Sequence, residues 1–168
     1  MIRNFFDNSK NYTSAMILGL HDALVEFIGM IIGLSLVLAD SRLVILTTVI
    51  AGVSASLSMG SSNYLAEKAN ENPDAVKAGI YTGIAYLITV ALLVIPFIIL
   101  PDTRLMEALG LMIIIAILII FVFNYYISRI KAQSFKKNFS RMLAICVTVS
   151  LVAFGIGQVA RLFLGVDF

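Results

Sequence analysis

Two carboxylates, Asp22 and Glu26, lie inside the first long apolar segment of the chain, in the stretch LGLHDALVEFIG (residues 18–29). Residues four apart project from one face of an α-helix. A charged side chain at the centre of a bilayer costs about 2.5–3.5 kcal/mol on insertion scales, a heavy penalty for a helix that only anchors a protein. We therefore predict a functional role for both acids. His21 points about 100° away from them around the helix, which favours a packing or hydrogen-bonding role.

A second polar face follows in the stretch AGVSASLSMGSSNYLAEKA. At helical spacing, one stripe holds Gly52, Ser56, Met59, Asn63 and Glu67. Together with the two acids, a thioether and an amide oxygen form a mixed set of ligands. Such a set suits a borderline divalent transition metal, such as ferrous iron, better than magnesium or calcium. Packing for Met59 and hydrogen bonding between helices for Asn63 are the alternatives.

The elements that carry these residues are predicted to be membrane helices. The chain is 60% hydrophobic and only 13% charged, against about 25% charged residues in soluble domains, and its mean hydropathy is +1.00. A bilayer crossing takes about 20 apolar residues. Five segments qualify, so we predict an all-α membrane protein, one domain over residues 1–168, with spans at residues 14–39, 43–66, 75–100, 105–127 and 142–164.

Lysine and arginine predict the orientation of these spans. With the N-terminus in the cytoplasm, nine of the twelve basic residues lie inside and three outside, so the C-terminus is placed outside. The N-terminal stretch MIRNFFDNSKNYTS does not resemble a cleaved signal peptide, so we expect the first span to be retained. The basic residues between Arg129 and Arg141 set this topology; the alternative is that they also bind anionic lipid headgroups.

Small residues predict where the helices approach one another. Gly19, Gly29 and Gly33 share the stripe of the two acids, and Gly29 and Gly33 form a Gly-x-x-x-Gly pair. Small residues let helices pack closely in lipid, so this stripe is expected in a tight helix contact. We predict a homodimer joined mainly through the two first helices, with Gly52 and Ser56 as further packing positions.

Other classes of function are disfavoured. The chain has no plausible nucleophile–base pair and no phosphate-binding loop, so we expect no catalytic residues and no enzyme activity. A net charge of +2, without interleaved aromatic and basic residues, does not favour a nucleic-acid partner. The single Cys146 lies in an apolar run and is interpreted as a small buried hydrophobe.

The motifs of the first two helices resemble the vacuolar iron transporter (VIT, CCC1-like) family. GLHDALV, residues 19–25, stands where that family has a pattern like G-x-N-D-G-L-V. SASLSMGSSNY, residues 54–64, is similar to its A-G-A-L-S-M-A-x-G-E-Y. Pro96 in the third helix and Gly155 and Gly157 in the fifth also fit the family pattern.

This resemblance implies a five-helix dimeric exporter of ferrous iron and related divalent metals, driven by protons, with Asp22 and Met59 in the metal pathway. The chain departs from the family at Asn63, which replaces a glutamate, and at Glu26, where the family has a small or hydroxyl residue. In place of a Glu-rich cytoplasmic domain it has only EKANENPD.

We accordingly expect export of Fe²⁺, or of Mn²⁺, Co²⁺ or Zn²⁺, by proton antiport through Asp22, Glu26, Met59, Asn63 and Glu67. The expected setting is the plasma membrane of a prokaryotic cell, with lipid, metal and protons as partners and no cofactor beyond the transported metal. The alternatives are a membrane scaffold or accessory subunit that does not transport, and a carrier or channel for another cation.

Overall fold

Five long helices make up the structure, which is a computed structural model describing residues 2–38, 40–131 and 134–164. Side chains are described for residues 12–38, 40–129, 134–159 and 162–163. The helices are α1 (Ile2–Leu38), α2 (Ser41–Ala69), α3 (Ala75–Ile99), α4 (Leu105–Lys131) and α5 (Phe135–Leu164). A short 3₁₀ turn, Asp102–Arg104, precedes α4, and the described part of the chain contains no strand. The all-α prediction is confirmed.

Each helix contains a segment long and apolar enough to cross a membrane. These segments are Tyr12–Leu38, Ser41–Ala69, Ala75–Ile99, Asp102–Arg129 and Phe135–Val159. The predicted number of five spans is therefore confirmed. Two helices extend beyond the predicted spans: α1 begins at Ile2, before the span predicted from residue 14, and α5 begins at Phe135, before the span predicted from residue 142. Helix continues through polar residues at both places because neither stretch contains a proline or glycine that would end it.

Side chains fix the two tightest described connections. The carboxylate of Asp40 accepts hydrogen bonds from the backbone N–H groups of Arg42 (2.8 Å) and Leu43 (3.2 Å), which caps the N-terminus of α2. After α2, Glu71 adopts a left-handed conformation with φ of 57°. The side-chain oxygen of Asn72 then accepts the N–H of Asp74 at 2.9 Å, and α3 starts one residue later.

The chain divides into two compact units, and neither corresponds to whole helices. The first comprises Met1–Ala23 and Val49–Ala91, and the second comprises Leu24–Thr48 and Leu92–Phe168. The prediction of a single domain stays a prediction.

Glycines bring α2 and α3 together in the first unit. A Cβ on Gly79 would lie 2.7 Å from the carbonyl oxygen of Gly60 and 2.8 Å from Cβ of Tyr64, and one on Gly83 would lie 3.1 Å from the oxygen of Ser56. A side chain larger than hydrogen does not fit at Gly79, and at Gly83 the neighbouring backbone would have to shift slightly, so the two helices approach backbone to backbone. Tyr86 is fully buried on α3 within this unit.

The second unit packs the C-terminal half of α1 against α5, and α4 against α5. Phe121 of α4 lies edge-on to Phe135 of α5, with ring centroids 5.3 Å apart, and Phe135 stacks with Phe139. The amide nitrogen of Asn124 donates to Sδ of Met142 at 3.3 Å, both residues being buried. At one end of the unit, the guanidinium of Arg42 pairs with the Asp102 carboxylate at 2.9 Å.

Candidate functional site

Asp22 and Glu26 lie one turn apart on α1, about 6 Å along the helix axis. Asp22 is half-buried within the first unit, whereas Glu26 belongs to the second unit and is exposed. Both lie well inside the apolar segment Tyr12–Leu38. His21 is half-buried beside them.

The turns of α1 that precede Asp22 pack against α3. The hydroxyl of Thr82 lies 3.0 Å from the carbonyl oxygen of Ala15 and 3.0 Å from that of Ala78, so its single proton serves one of the two at a time. One turn later, a Cβ on Gly19 would overlap the carbonyl oxygen of Thr82. The glycine therefore permits the contact between α1 and α3 just before Asp22.

Asn63 links α2 to Thr82, the residue of α3 that contacts α1. Its side-chain nitrogen donates to Oγ1 of Thr82 at 2.7 Å and to the carbonyl oxygen of Ala78 at 3.3 Å. Thr82 therefore receives a bond from α2 and gives one to α1 or α3. We call Ala15, Asn63, Ala78 and Thr82 the Thr82 junction. Asn63 is only 9% exposed, so satisfying its donors within the membrane segment is important.

The α2 stripe predicted from the sequence faces α3 over much of its length. A Cβ on Gly52 would lie 2.5 Å from Cγ1 of Val90, and Ser56 is buried with its hydroxyl donating to the carbonyl of Val53 at 2.8 Å. Met59 is half-buried one turn before Asn63.

A polar cavity of about 350 Å³ lies in the first unit, where α2 ends and α3 begins. It is lined by Tyr12, Ser14, Ala15, Glu67, Asn72, Pro73, Asp74 and Ala78. Ala15 and Ala78 are also the residues whose carbonyls bond Thr82. The cavity therefore extends from Glu67 to the Thr82 junction.

Hydrogen bonds hold both carboxylates of this cavity. Glu67 accepts a 2.6 Å bond from the side-chain nitrogen of Asn72, and Asp74 accepts a 2.8 Å bond from Lys77. The bond from Lys77, with a second from Tyr12, keeps the pKa of the Asp74 carboxyl below its usual value. Asp74 therefore stays ionised at neutral pH.

Two glycines of the predicted dimer stripe contact another helix of the same chain. A Cβ on Gly29 would lie 3.4 Å from Cβ of Ala153 and 3.4 Å from Cγ1 of Val149, and one on Gly33 would lie 3.6 Å from the carbonyl oxygen of Ala153. The close contact expected at Gly29 and Gly33 is thus made with α5 in the second unit. The difference arises because a small-residue stripe predicts close packing but does not specify the partner helix.

Three residues important to this arrangement were missed from the sequence: Thr82, Asn72 and Tyr12. Thr82 had one signal, a hydroxyl in an apolar helix between Gly79 and Gly83, where helices approach closely.

Among the described side chains, no group of three or more His, Cys, Asp or Glu is arranged to hold a metal ion.

Comparison with known proteins supports the interpretation of the first two helices. No curated protein matches the chain. The family model described as the VIT family matches residues 13–73 and 67–158, which include both α1 and α2 motifs and the whole of α3 and α4. That family is associated with metal ion transport. With five membrane-length helices and matches over most of its length, the chain is an integral membrane protein that belongs to the VIT family.

Proposed function

We propose that this protein exports a divalent transition metal, Fe²⁺ first among them, from the cytosol in exchange for protons. The observation that carries the proposal is the path of polar groups in the first unit. Glu67 lines the 350 Å³ cavity, Ala15 and Ala78 of the Thr82 junction line it too, and Gly19 packs against Thr82 three residues before Asp22 on α1. A hydrated cation needs such a path because lipid offers it no ligands.

Asp22 and Glu26 are the exchange groups in this proposal. In the proposed cycle the pair carries protons whenever no metal is bound. A divalent cation arriving from the polar cavity displaces them, because carboxylate ligands must be deprotonated to bind metal. Protons from the opposite side then release the cation and return the pair to its first state.

The exposure of Glu26 supports assembly as a homodimer. A charged side chain at mid-membrane facing lipid costs about 2.5–3.5 kcal/mol on insertion scales, and Glu26 is exposed on the single chain. A second copy around a twofold axis covers it and brings two Glu26 and two Asp22 near one centre. The excess of basic residues favours a cytoplasmic N-terminus, and the proposed location is the plasma membrane of a prokaryotic cell.

Conservative replacement of the acids tests the mechanism. Asp22→Asn and Glu26→Gln keep the side-chain shape and remove the titrating group. Each is expected to reduce Fe²⁺ flux at least about tenfold, which corresponds to a rise of about 1.4 kcal/mol in the transport barrier. The measurement is Fe²⁺ uptake into proteoliposomes with an imposed pH gradient, alongside a pH-sensitive dye that follows the protons.

The matched control is Glu107→Gln. Glu107 is an exposed acid at the start of α4 whose pairing with Arg104 is long, at 3.4 Å, and exposed pairs contribute little. Its removal should leave both fluxes unchanged. If Asp22→Asn and Glu26→Gln carry metal and protons like the parent, the carboxylates are not the exchange site and the antiport proposal fails.

A membrane scaffold that does not transport is the second candidate, and the observation that favours it is the engagement of Asn63. Its side-chain nitrogen bonds Thr82 and Ala78, which is typical of residues that hold membrane helices together. The exporter and the scaffold differ in one result: the exporter moves Fe²⁺ into proteoliposomes, and the scaffold moves neither Fe²⁺ nor Mn²⁺. A carrier for another cation would move that ion alone.

A further inference from the structure

An apolar cavity of about 300 Å³ lies in the second unit, and none of its lining residues belongs to the proposed transport path. The C-terminal half of α1, the middle of α4 and α5 form its wall, with Ile28, Ile32, Ile117, Ile120, Leu143 and Cys146 among the lining residues. Such a lining offers water almost no polar partners, and an empty space would forfeit the packing contacts of these side chains. In a bilayer the available apolar occupant is an acyl chain.

A cluster of positive charge lies on the same helix, next to the cavity. Lys136, Lys137 and Arg141 are exposed on the first turns of α5. Lys136 precedes Leu143 by seven residues, which is two helical turns on the same face. Arg141 lies only about 3 Å before Leu143 along the axis but about 160° around the helix from it, so it adds positive charge to these turns without facing the cavity. From Arg129 to Leu164 the sequence contains no aspartate or glutamate, so nothing on α5 neutralises this charge.

Aromatic packing fixes these basic turns to α4. The ring of Phe121 lies 5.3 Å from that of Phe135 and 6.3 Å from that of Phe139, and both contacts are edge-on. The three rings hold the first turn of α5 against α4. The charged residues therefore keep a fixed position relative to the cavity that α4 and α5 share.

We propose that this surface binds one anionic phospholipid. Its acyl chain occupies the 300 Å³ cavity, and its phosphate is held by Lys136 and Lys137. The apolar lining accounts for the chain and the uncompensated positive charge accounts for the headgroup. Anionic lipids attract clusters of basic residues at membrane surfaces, at about 1 kcal/mol per residue. The charged headgroup therefore suits the basic residues, and the acyl chain suits the apolar cavity.

The first test compares lipids by thermal unfolding of the full chain in detergent. Phosphatidylglycerol at ten times its Kd is expected to raise Tm by about 3–6 °C. Phosphatidylcholine, with the same acyl chains and no net charge, should raise it by less than half as much. Glycerol phosphate, which has the headgroup charge without the chains, should have no effect at the same concentration. An equal shift from glycerol phosphate would mean a soluble-anion site and would overturn the proposal.

Two variants test the basic residues and the apolar cavity separately. The double variant Lys136→Gln and Lys137→Gln should lose the preference for phosphatidylglycerol over phosphatidylcholine. The matched control, Lys68→Gln with Arg104→Gln, removes two exposed charges elsewhere and should keep it. Ala116→Leu, at a cavity-lining residue that is 2% exposed, should reduce the response to both lipids because the added methyl groups fill the space.

Cys146 gives a second readout, which needs no introduced label site. It is the only cysteine of the chain and lines the cavity. Bound phosphatidylglycerol should slow its reaction with N-ethylmaleimide several-fold more than phosphatidylcholine does, and the Lys136→Gln, Lys137→Gln variant should abolish the difference. Equal protection by both lipids in the parent would show that the charge plays no part, and the proposal would fail.

Discussion

Asn63 and Thr82 show how much a single residue depends on its neighbours in this fold. From its spacing, Asn63 is a candidate ligand or a helix contact, and its side-chain nitrogen bonds Thr82 and Ala78. The residue therefore contributes to the packing of α2 on α3, while Asp22, Glu26 and Met59 remain the proposed metal ligands. Among single residues, the proposed metal transport therefore depends most on these two acids and this thioether.

Met59→Leu tests the soft ligand. The change keeps the side-chain volume, so its stability cost should stay below about 1.5 kcal/mol. If the thioether contacts the ion, uptake of Fe²⁺ or Co²⁺ into proteoliposomes should fall several-fold, and uptake of Mn²⁺, which depends less on sulfur, should fall less. Met112→Leu, at a fully buried methionine of α4, is the control and should change neither. Equal selectivity in Met59→Leu and the parent would assign Met59 to packing alone.

At the scale of the helices, the contact between α1 and α3 depends on Gly19. A Cβ there overlaps the Thr82 carbonyl oxygen, which is backbone and cannot rotate away. We expect Gly19→Ala to push the helices apart, weaken the bond from Thr82 to Ala15, and lower stability by about 1–3 kcal/mol. Thermal unfolding in detergent measures this loss.

Gly110→Ala is the control for that change. Gly110 lies in α4, and a Cβ added to it would meet no neighbouring atom within 4 Å. Alanine there should be neutral or slightly stabilising because it favours helix. If Gly19→Ala unfolds at the same temperature as Gly110→Ala, the close approach of α1 to α3 is not required for stability.

For the whole molecule, the prediction is a homodimer covering Glu26. Gly29 and Gly33 contact α5 within the chain, so Gly29→Leu is expected to disturb that packing first. Glu26→Cys in a Cys146→Ser background is the sharper test, because a disulfide needs Cα atoms within about 7 Å. Oxidation in membranes should give a covalent dimer for Glu26→Cys and none for Leu118→Cys, an exposed position of α4.

Sedimentation of the parent in detergent completes this test. A dimer that dissociates only on dilution is the expected result. A monomer at every concentration, together with no cross-link at Glu26→Cys, would contradict the assembly and would leave Glu26 to be covered in another way.

The sequence alone determined the class of the protein, the number of spans and the positions of Asp22, Glu26 and Met59 along them. These follow from hydrophobic length and helical period, which are local properties. It did not show that α1 and α5 begin before their apolar segments, because polar residues without a proline or glycine continue a helix beyond such a segment. Family membership was also readable, because two motifs keep their order and spacing.

Only the tertiary structure decided which helix each small residue contacts. Gly29 and Gly33 face α5, Gly19 faces α3, and Thr82 joins residues that lie as many as 67 positions apart in the chain. The polar cavity at Glu67 and the apolar cavity at Cys146 likewise depend on three helices meeting. Periodicity gives the face of one helix, whereas the partner of that face depends on how all the side chains between the helices pack together.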